Sequence, residues 1–162
     1  MRILLLILFA GLAGCQFDRH TAVYTTTEPK PQDLVGTYVL DYASNKLITE
    51  EGHYAKAETS IVLATDGSIT IENIPDWWLT DVGDSKEKFD SGHGKWSIDK
   101  HQDWWVLSVE FHSTEQFAWQ RQAWSNGFFT EMFLIGEKPP YNIYLGIGDP
   151  DENRGMEFER VR

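Results

Sequence analysis

The sequence predicts an all-β domain built as an antiparallel meander of about eight strands. From residue 34 onwards, apolar and polar residues alternate along most of the chain, which is typical of strands with one buried face. Short polar turns separate the alternating runs. Eight antiparallel strands close naturally into a small barrel, which leaves no free sheet edge. We therefore expect a barrel, with a two-sheet sandwich as the alternative.

Each predicted strand has one apolar face. The strands fall at 34–42, in a hairpin at 59–74, and at 94–100, 104–111, 127–136, 141–148 and 155–161. The hairpin turns at Asp66-Gly67, because glycine accepts a positive φ without steric cost. The residues predicted to share a face within their strands are Tyr38, Leu40 and Tyr42; Trp96 and Ile98; Trp105, Leu107, Val109 and Phe111; Phe129, Phe133 and Ile135, opposite Thr130 and Met132; Tyr141, Ile143, Leu145 and Ile147; and Met156 and Phe158.

Helical patterns are few and short. Residues 113–124 open with Ser113 and Gln116 at the spacing of a capping box, but the segment is of marginal length. Residues 44–57 are equally ambiguous between helix and loop. We therefore expect short helices at most.

The first fifteen residues, "MRILLLILFAGLAGC", carry one basic residue and then an apolar run. The run is too short for a membrane-spanning helix, which needs about 20 residues, and it suits a secretory signal peptide. Its end, "LAGC", resembles the lipobox of bacterial lipoproteins. The resemblance implies cleavage before Cys15 and attachment of lipid, including palmitate, to that cysteine. The alternative is an ordinary signal peptide with a chance cysteine.

Cys15 is the only cysteine in the chain. An intramolecular disulfide and a thiolate metal cluster are therefore excluded. By the same resemblance, Gln16 in place of aspartate implies the periplasmic face of the outer membrane. The predicted organisation is a signal peptide at 1–14, the lipidated cysteine and a flexible tether at 15–33, and the barrel domain at 34–162. The tether prediction depends on the threonine- and proline-rich composition of 16–33.

The chain is acidic, with a formal net charge of −11. Removing Arg2 with the signal peptide leaves 13 basic and 25 acidic residues, a net charge of −12. No basic patch stands out, so nucleic acid is not an expected partner. A cationic protein is compatible with this charge.

Several short motifs resemble those of lipocalin-type barrels. "GTY" at 36–38 is similar to the glycine-x-tryptophan signature of that family, with tyrosine substituted, and "LATDGSITI" and "GKWSI" resemble hairpins of small bacterial lipocalin-like domains. The tail "PPYNIYLGIGDPDENRGMEFERV" resembles uncharacterised bacterial proteins that end in a similar strand–loop–strand unit. The resemblance implies a binding barrel whose ligand is a small apolar molecule in the interior or a protein held at the rim.

The segment 146–159 almost spells a calcium loop, with Asp149, Asp151 and Asn153 at alternate positions. Such a loop needs glycine at position six and a bidentate glutamate at position twelve. Counted from Asp149, these positions hold Arg154 and Arg160. We therefore predict a turn and no calcium site.

The other candidate metal ligands are His93, His101 and His112 with Asp90, which could meet at a barrel rim and bind zinc. Scattered surface histidines are the preferred interpretation. No catalytic sequence motif is present, so the chain is expected to be neither an enzyme nor a cofactor-binding protein.

The tripeptide "DWW" occurs twice and supplies the predicted ligand-binding residues Trp77, Trp78, Trp104 and Trp105. Trp77 and Trp78 lie in a connection of nearly twenty residues, and long connections in compact domains are often functional. Packing at one end of the core is the alternative role for them. The expected function is a membrane-anchored, non-enzymatic binding lipoprotein. The alternative is a periplasmic inhibitor or immunity protein against a basic, envelope-attacking enzyme.

Overall fold

The computed structural model describes residues 23–76, 87–114, 128–147 and 154–161, and these form a closed antiparallel barrel. Each strand pairs with the next one along the chain, and the last strand pairs with the first. The predicted meander is confirmed, and closure decides for the barrel over the sandwich. The eight strands are β1 (Gly36–Leu40), β2 (Ser60–Leu63), β3 (Ser68–Pro75), β4 (Phe89–His101), β5 (Trp104–Thr114), β6 (Phe128–Ile135), β7 (Asn142–Gly146) and β8 (Gly155–Arg160).

The hairpin between β2 and β3 turns at Asp66-Gly67, as predicted. Gly67 has a φ of +80°, and the Asp66 carboxylate accepts hydrogen bonds from the Ser68 backbone N–H at 2.9 Å and hydroxyl at 2.7 Å. These two bonds lower the pKa of Asp66. The side chain thus satisfies a turn amide that the strand ladder cannot reach.

Helical structure in the described residues is short, and of the candidate segment 113–124 only Ser113 and Thr114 are described, at the end of β5. Helix α1 spans Pro31–Leu34, helix α2 spans Tyr42–Lys46, and a π-helical turn follows at Leu47–Glu51. The Asp41 carboxylate caps α2 by accepting from the Ser44 N–H at 2.6 Å. Because the chain leaves the sheet after Leu40, Tyr42 is 85% exposed. Its predicted place on the buried face of the first strand is therefore wrong.

The barrel interior is one continuous apolar core. On β5, Leu107, Val109 and Phe111 are buried, as predicted from their alternation. The other strands contribute a similar inward row. Further members of the core are Tyr38, Leu40, Ile61, Leu63, Ile69, Ile71, Ile74, Met132, Leu134, Ile143, Leu145, Met156 and Phe158 on the strands, with Leu34, Ile48, Tyr54, Tyr141 and Ile147 from outside them.

The face of β6 is the reverse of the predicted one. Met132 and Leu134 are fully buried in the core, whereas Phe133 packs outside the barrel. Apolar residues occupy both faces of this strand because its outer face is also covered. Alternation alone could therefore not choose the inward side.

Residues 23–25, here called the strap, cover that outer face. The Thr25 N–H donates to the Leu134 carbonyl at 2.9 Å, and the Gly136 N–H donates to the Val23 carbonyl at 2.8 Å. On the opposite side the Trp105 N–H donates to the Thr25 carbonyl at 2.8 Å. The strap thus joins the sheet between the first residues of β5 and the last residues of β6. The folded part begins before Leu34, and the tether predicted for 15–33 needs correction at these residues.

The two ends of the barrel differ in the length of their connections. At one end, here called the turn pole, short segments join β2 to β3, β4 to β5 and β6 to β7. The longer connections join β1 to β2, β3 to β4, β5 to β6 and β7 to β8 at the other end, here called the loop pole. The strap and α1 lie at the turn pole. No helix in the described part of the chain is long and apolar enough to cross a membrane.

Candidate binding groove

An open groove of about 840 Å³ lies on the outside of the barrel, near the loop pole. It is bounded by the outer faces of β1 to β3, by α2 with the π-helical turn, and by the segment that leads into β2. We call it the outer groove. Its lining residues are Val39, Leu40, Tyr42, Asn45, Lys46, Thr49, Glu50, Lys56, Ala57, Glu58, Thr59, Ser60, Glu72 and Asn73.

The floor of the outer groove is a cross-strand row on neighbouring strands. Val39 on β1 pairs with Ser60 on β2, and Ser60 pairs with Glu72 on β3. Directly paired side chains on one face of a sheet lie close together. Val39 is 40% exposed and Tyr42 stands at the rim, so the floor offers apolar surface beside polar groups. This combination suits a ligand with both kinds of surface.

Side-chain hydrogen bonds hold the groove walls in place. The Asn45 amide donates to the Leu40 carbonyl at 3.1 Å, which fixes α2 against the end of β1. The Thr59 hydroxyl donates to the Asn73 carbonyl at 2.8 Å, and the Asn73 amide donates to the Glu58 carbonyl at 2.9 Å. The last two bonds join the segment before β2 to Asn73 of β3. Hydrogen bonds between the lining segments therefore hold the groove in shape.

The charges around the outer groove are unevenly matched. Lys46 and Glu50 form an exposed ion pair at 3.6 Å, one helical turn apart. Glu58, Glu72 and Lys56 form no ion pair with any residue that the structure describes. Three carboxylates thus face two ammonium groups. The groove presents a modest excess of negative charge to a ligand.

The interior of the barrel is occupied by side chains. Ile61, Met132, Leu134, Ile143 and Phe158 are at most 1% exposed and belong to the same core. One polar atom in this interior, Nε1 of Trp96, is buried and finds no hydrogen-bond partner among the described residues. Packing of this kind in the described strands favours binding on the outside of the barrel over binding within it.

Of the four predicted ligand-binding tryptophans, the structure describes Trp104 and Trp105, which lie on opposite faces of β5. Trp104 lies outside the barrel, with its ring centroid 5.4 Å from that of Tyr24 and 6.3 Å from that of Phe133. Trp105 packs against the core. Both begin β5 at the turn pole, whereas the connection between β3 and β4 that holds Trp77 and Trp78 starts and ends at the loop pole. Trp77 and Trp78 lie outside the described residues, so their binding role stays a prediction.

The histidines predicted as alternative zinc ligands make separate contacts. His101 Nδ1 lies 2.7 Å from a Glu131 carboxylate oxygen, and His112 Nδ1 lies 3.8 Å from a Glu110 oxygen. Asp90 is buried and accepts a hydrogen bond from the Ser91 N–H at 2.8 Å. Within 23–76, 87–114, 128–147 and 154–161, no group of three acidic, histidine or cysteine side chains is placed to hold a metal ion.

The near-calcium motif falls largely outside the described residues, which omit Asp149, Asp151 and Asn153. Its C-terminal neighbour Arg154 is described. The Arg154 carbonyl accepts a hydrogen bond from the Ile147 N–H at 2.9 Å, and its guanidinium lies 3.9 Å from Glu51. Ile147 and Arg154 are thus hydrogen-bonded to each other at the two ends of the β7–β8 connection. The absence of calcium binding stays a prediction.

Sequence reasoning missed the outer groove and the strap. One signal was available for the groove: Val39 occupies an outward position on an otherwise regular strand. The placement of α2 against the end of β1 and against β8 had no comparable signature. Comparison with protein-family models, with curated proteins and with solved structures finds no match for this chain.

Proposed function

We propose that the protein is a non-enzymatic, lipid-anchored lipoprotein of the bacterial envelope that binds a protein partner through the outer groove. The observation that carries this proposal is the groove itself, an internally braced concavity on a barrel whose described interior is filled. Small-molecule sites are mostly apolar and enclose their ligand. The outer groove is open to solvent, and most of its lining side chains are polar or charged although much of the surface they present is carbon. An open groove with both kinds of surface favours a segment of a protein over a small apolar ligand.

The second candidate is a periplasmic inhibitor or immunity protein that acts against a basic, envelope-attacking enzyme. The net charge of −12 on the mature chain favours it, because charge complementarity accelerates encounter with a cationic partner. The carboxylates of Glu58 and Glu72 line the groove, so a cationic partner is attracted to this part of the surface.

The proposed anchor is lipid on Cys15, which holds the protein at the periplasmic face of the outer membrane. Several acyl chains on one residue give stable membrane attachment. Changing Cys15→Ser is expected to move the protein from the membrane fraction to the soluble fraction, as measured by fractionation and immunoblotting. Full membrane association of this variant would contradict the proposed anchor.

The groove proposal is tested by co-purification from native membranes, followed by mass spectrometry of the retained proteins and lipids. The variant Val39→Ser removes the apolar part of the groove floor and is expected to lose the partner. Val62→Ser is the matched control, because Val62 is similarly exposed on the outer face of β2 and does not line the groove. Equal retention by the two variants would show that the partner binds elsewhere.

A further inference from the structure

The strap fixes the direction in which the chain enters the barrel. Val23 accepts a backbone hydrogen bond from Gly136 and Thr25 donates one to Leu134, which is the pattern of an antiparallel pair centred on Tyr24 and Ile135. Since β6 runs towards the turn pole, the strap runs from the turn pole inwards. Val23, the first residue of the strap, is therefore the end of the strap that lies nearer the turn pole.

The strap is held by side chains as well as by its backbone. The Tyr24 ring stacks on Phe133 with centroids 4.7 Å apart and planes 11° from parallel, and it is 6% exposed. The Thr25 hydroxyl donates to the Gly136 carbonyl at 2.8 Å. With these contacts the strap belongs to the folded domain, so fewer residues lie between Cys15 and the folded part than the predicted tether contained.

Only seven residues, 16–22, separate Cys15 from the strap. At full extension they reach about 25 Å, against about 60 Å for a tether that ran to residue 33. The length of the barrel is comparable, because the eleven residues of β5 rise about 3.3 Å each at a tilt of about 40°, which gives roughly 28 Å along the axis. A linker this short cannot let the two poles exchange places freely at the membrane.

We propose that the turn pole faces the membrane surface and that the loop pole, with the outer groove, faces away from it. This inference rests on the proposed lipid anchor at Cys15 and adds the orientation of the binding surface. The groove is lined from the last residues of β1, from α2 and from the first residue of β2, all near the loop pole. A partner therefore reaches it from the periplasm, without passing between the barrel and the lipid headgroups.

The experiment uses the lipidated full-length protein, purified from membranes and placed in phosphatidylethanolamine–phosphatidylglycerol vesicles with a headgroup-attached quencher. Since Cys15 is the only native cysteine, an introduced cysteine takes a fluorophore at one position. The variants Asp103→Cys, in the β4–β5 turn, and Glu50→Cys, in the π-helical turn, place the label at opposite poles. We expect quenching at position 103 to be several-fold stronger than at position 50.

A second pair of variants carries about fifteen additional Gly and Ser residues after Gln16, which leaves the barrel sequence unchanged. A flexible linker of that length lets the barrel reorient, so the difference in quenching is expected to disappear. Equal quenching of the two positions without the insertion, or a difference that survives it, would overturn the proposed orientation. Mass spectrometry of the mature N-terminus separates the two proposals. Absence of lipid on Cys15 overturns both, whereas equal quenching with lipid present overturns the orientation alone.

Discussion

Gly155 shows how a single residue decides the packing of the last hairpin. A Cβ atom at this position would overlap the Tyr144 ring, which lies across the backbone of β8. We expect Gly155→Ala to lower the free energy of unfolding by about 1–3 kcal/mol, because the ring must move from its buried position. Urea denaturation followed by fluorescence measures this change.

Gly146, which pairs with Gly155 across the hairpin, supplies the matched control. A Cβ there meets nothing within 4 Å. The change Gly146→Ala is expected to be neutral or stabilising by up to about 1 kcal/mol, because alanine restricts the unfolded chain. Equal destabilisation by the two substitutions would show that contact with the Tyr144 ring is not the cause.

Tyr38 makes stability sensitive to alkaline pH. Burial raises the pKa of Tyr38 to about 12, while the nearby Arg160 charge acts in the opposite direction. The hydroxyl donates to the Leu34 carbonyl at 2.6 Å, a bond that needs the proton. Because the folded state holds this proton more tightly than the unfolded state, the Tyr38 contribution is complete below pH 10 and is lost between pH 10 and about 12.

The variant Tyr38→Phe tests this dependence. It is expected to lose about 1 kcal/mol at neutral pH with the hydrogen bond. Its free energy of unfolding should then fall less steeply than that of the wild type above pH 10, as measured by denaturant titration at each pH. Tyr141, whose pKa is also raised by burial, titrates in both proteins, so the difference between them isolates Tyr38. Parallel curves would contradict the assignment.

At the scale of elements, the strap is the feature most open to a direct test. We expect Tyr24→Ala to lower the free energy of unfolding by about 3 kcal/mol, because it removes a buried aromatic ring from its stack on Phe133. Hydrogen exchange of the Thr25, Trp105 and Gly136 amides should become faster in this variant, by more than exchange of the amides in the core strands. Tyr42→Ala is the control, since Tyr42 is almost fully exposed and should change stability little. Unchanged exchange in Tyr24→Ala would show that the backbone hydrogen bonds hold the strap without help from the ring.

The elements also show where sequence reasoning works and where it stops. Period-two alternation located the strands, since side chains along a strand such as β2 are alternately buried in the core and exposed. It misassigned the inward face of β6, because the outer face of that strand is also apolar where the strap covers it. The strap itself lies in a threonine- and proline-rich stretch without apolar periodicity. Tyr24 is buried by Trp104, Phe133 and Tyr144, which are far from it in the sequence. The outer groove depends on the same kind of long-range placement.

At the scale of the whole molecule, the pairing of β1 with β8 closes the barrel. Phe158 pairs with Leu40 across this seam and with Ile143 on the other side, and it is fully buried. We expect Phe158→Ala to cost about 3–5 kcal/mol in the free energy of unfolding, because it leaves a cavity where three strands meet. Thermal denaturation provides the measurement. Glu159→Ala, on the exposed face of the same strand, should shift the midpoint little.

The same seam has a consequence for how the chain folds. Seven of the eight strand pairings in the described barrel join consecutive strands, whereas the eighth joins residues 38–40 to residues 158–160. Contacts between residues far apart in sequence form slowly, because the entropy of closing a long loop must be overcome first. A circular permutant that joins residue 161 to Val23 and opens the chain between β4 and β5 would bring the two strands of the seam close in sequence while keeping the strap and α1. The slow closing step is then expected to move to the β4–β5 interface, with the native topology retained.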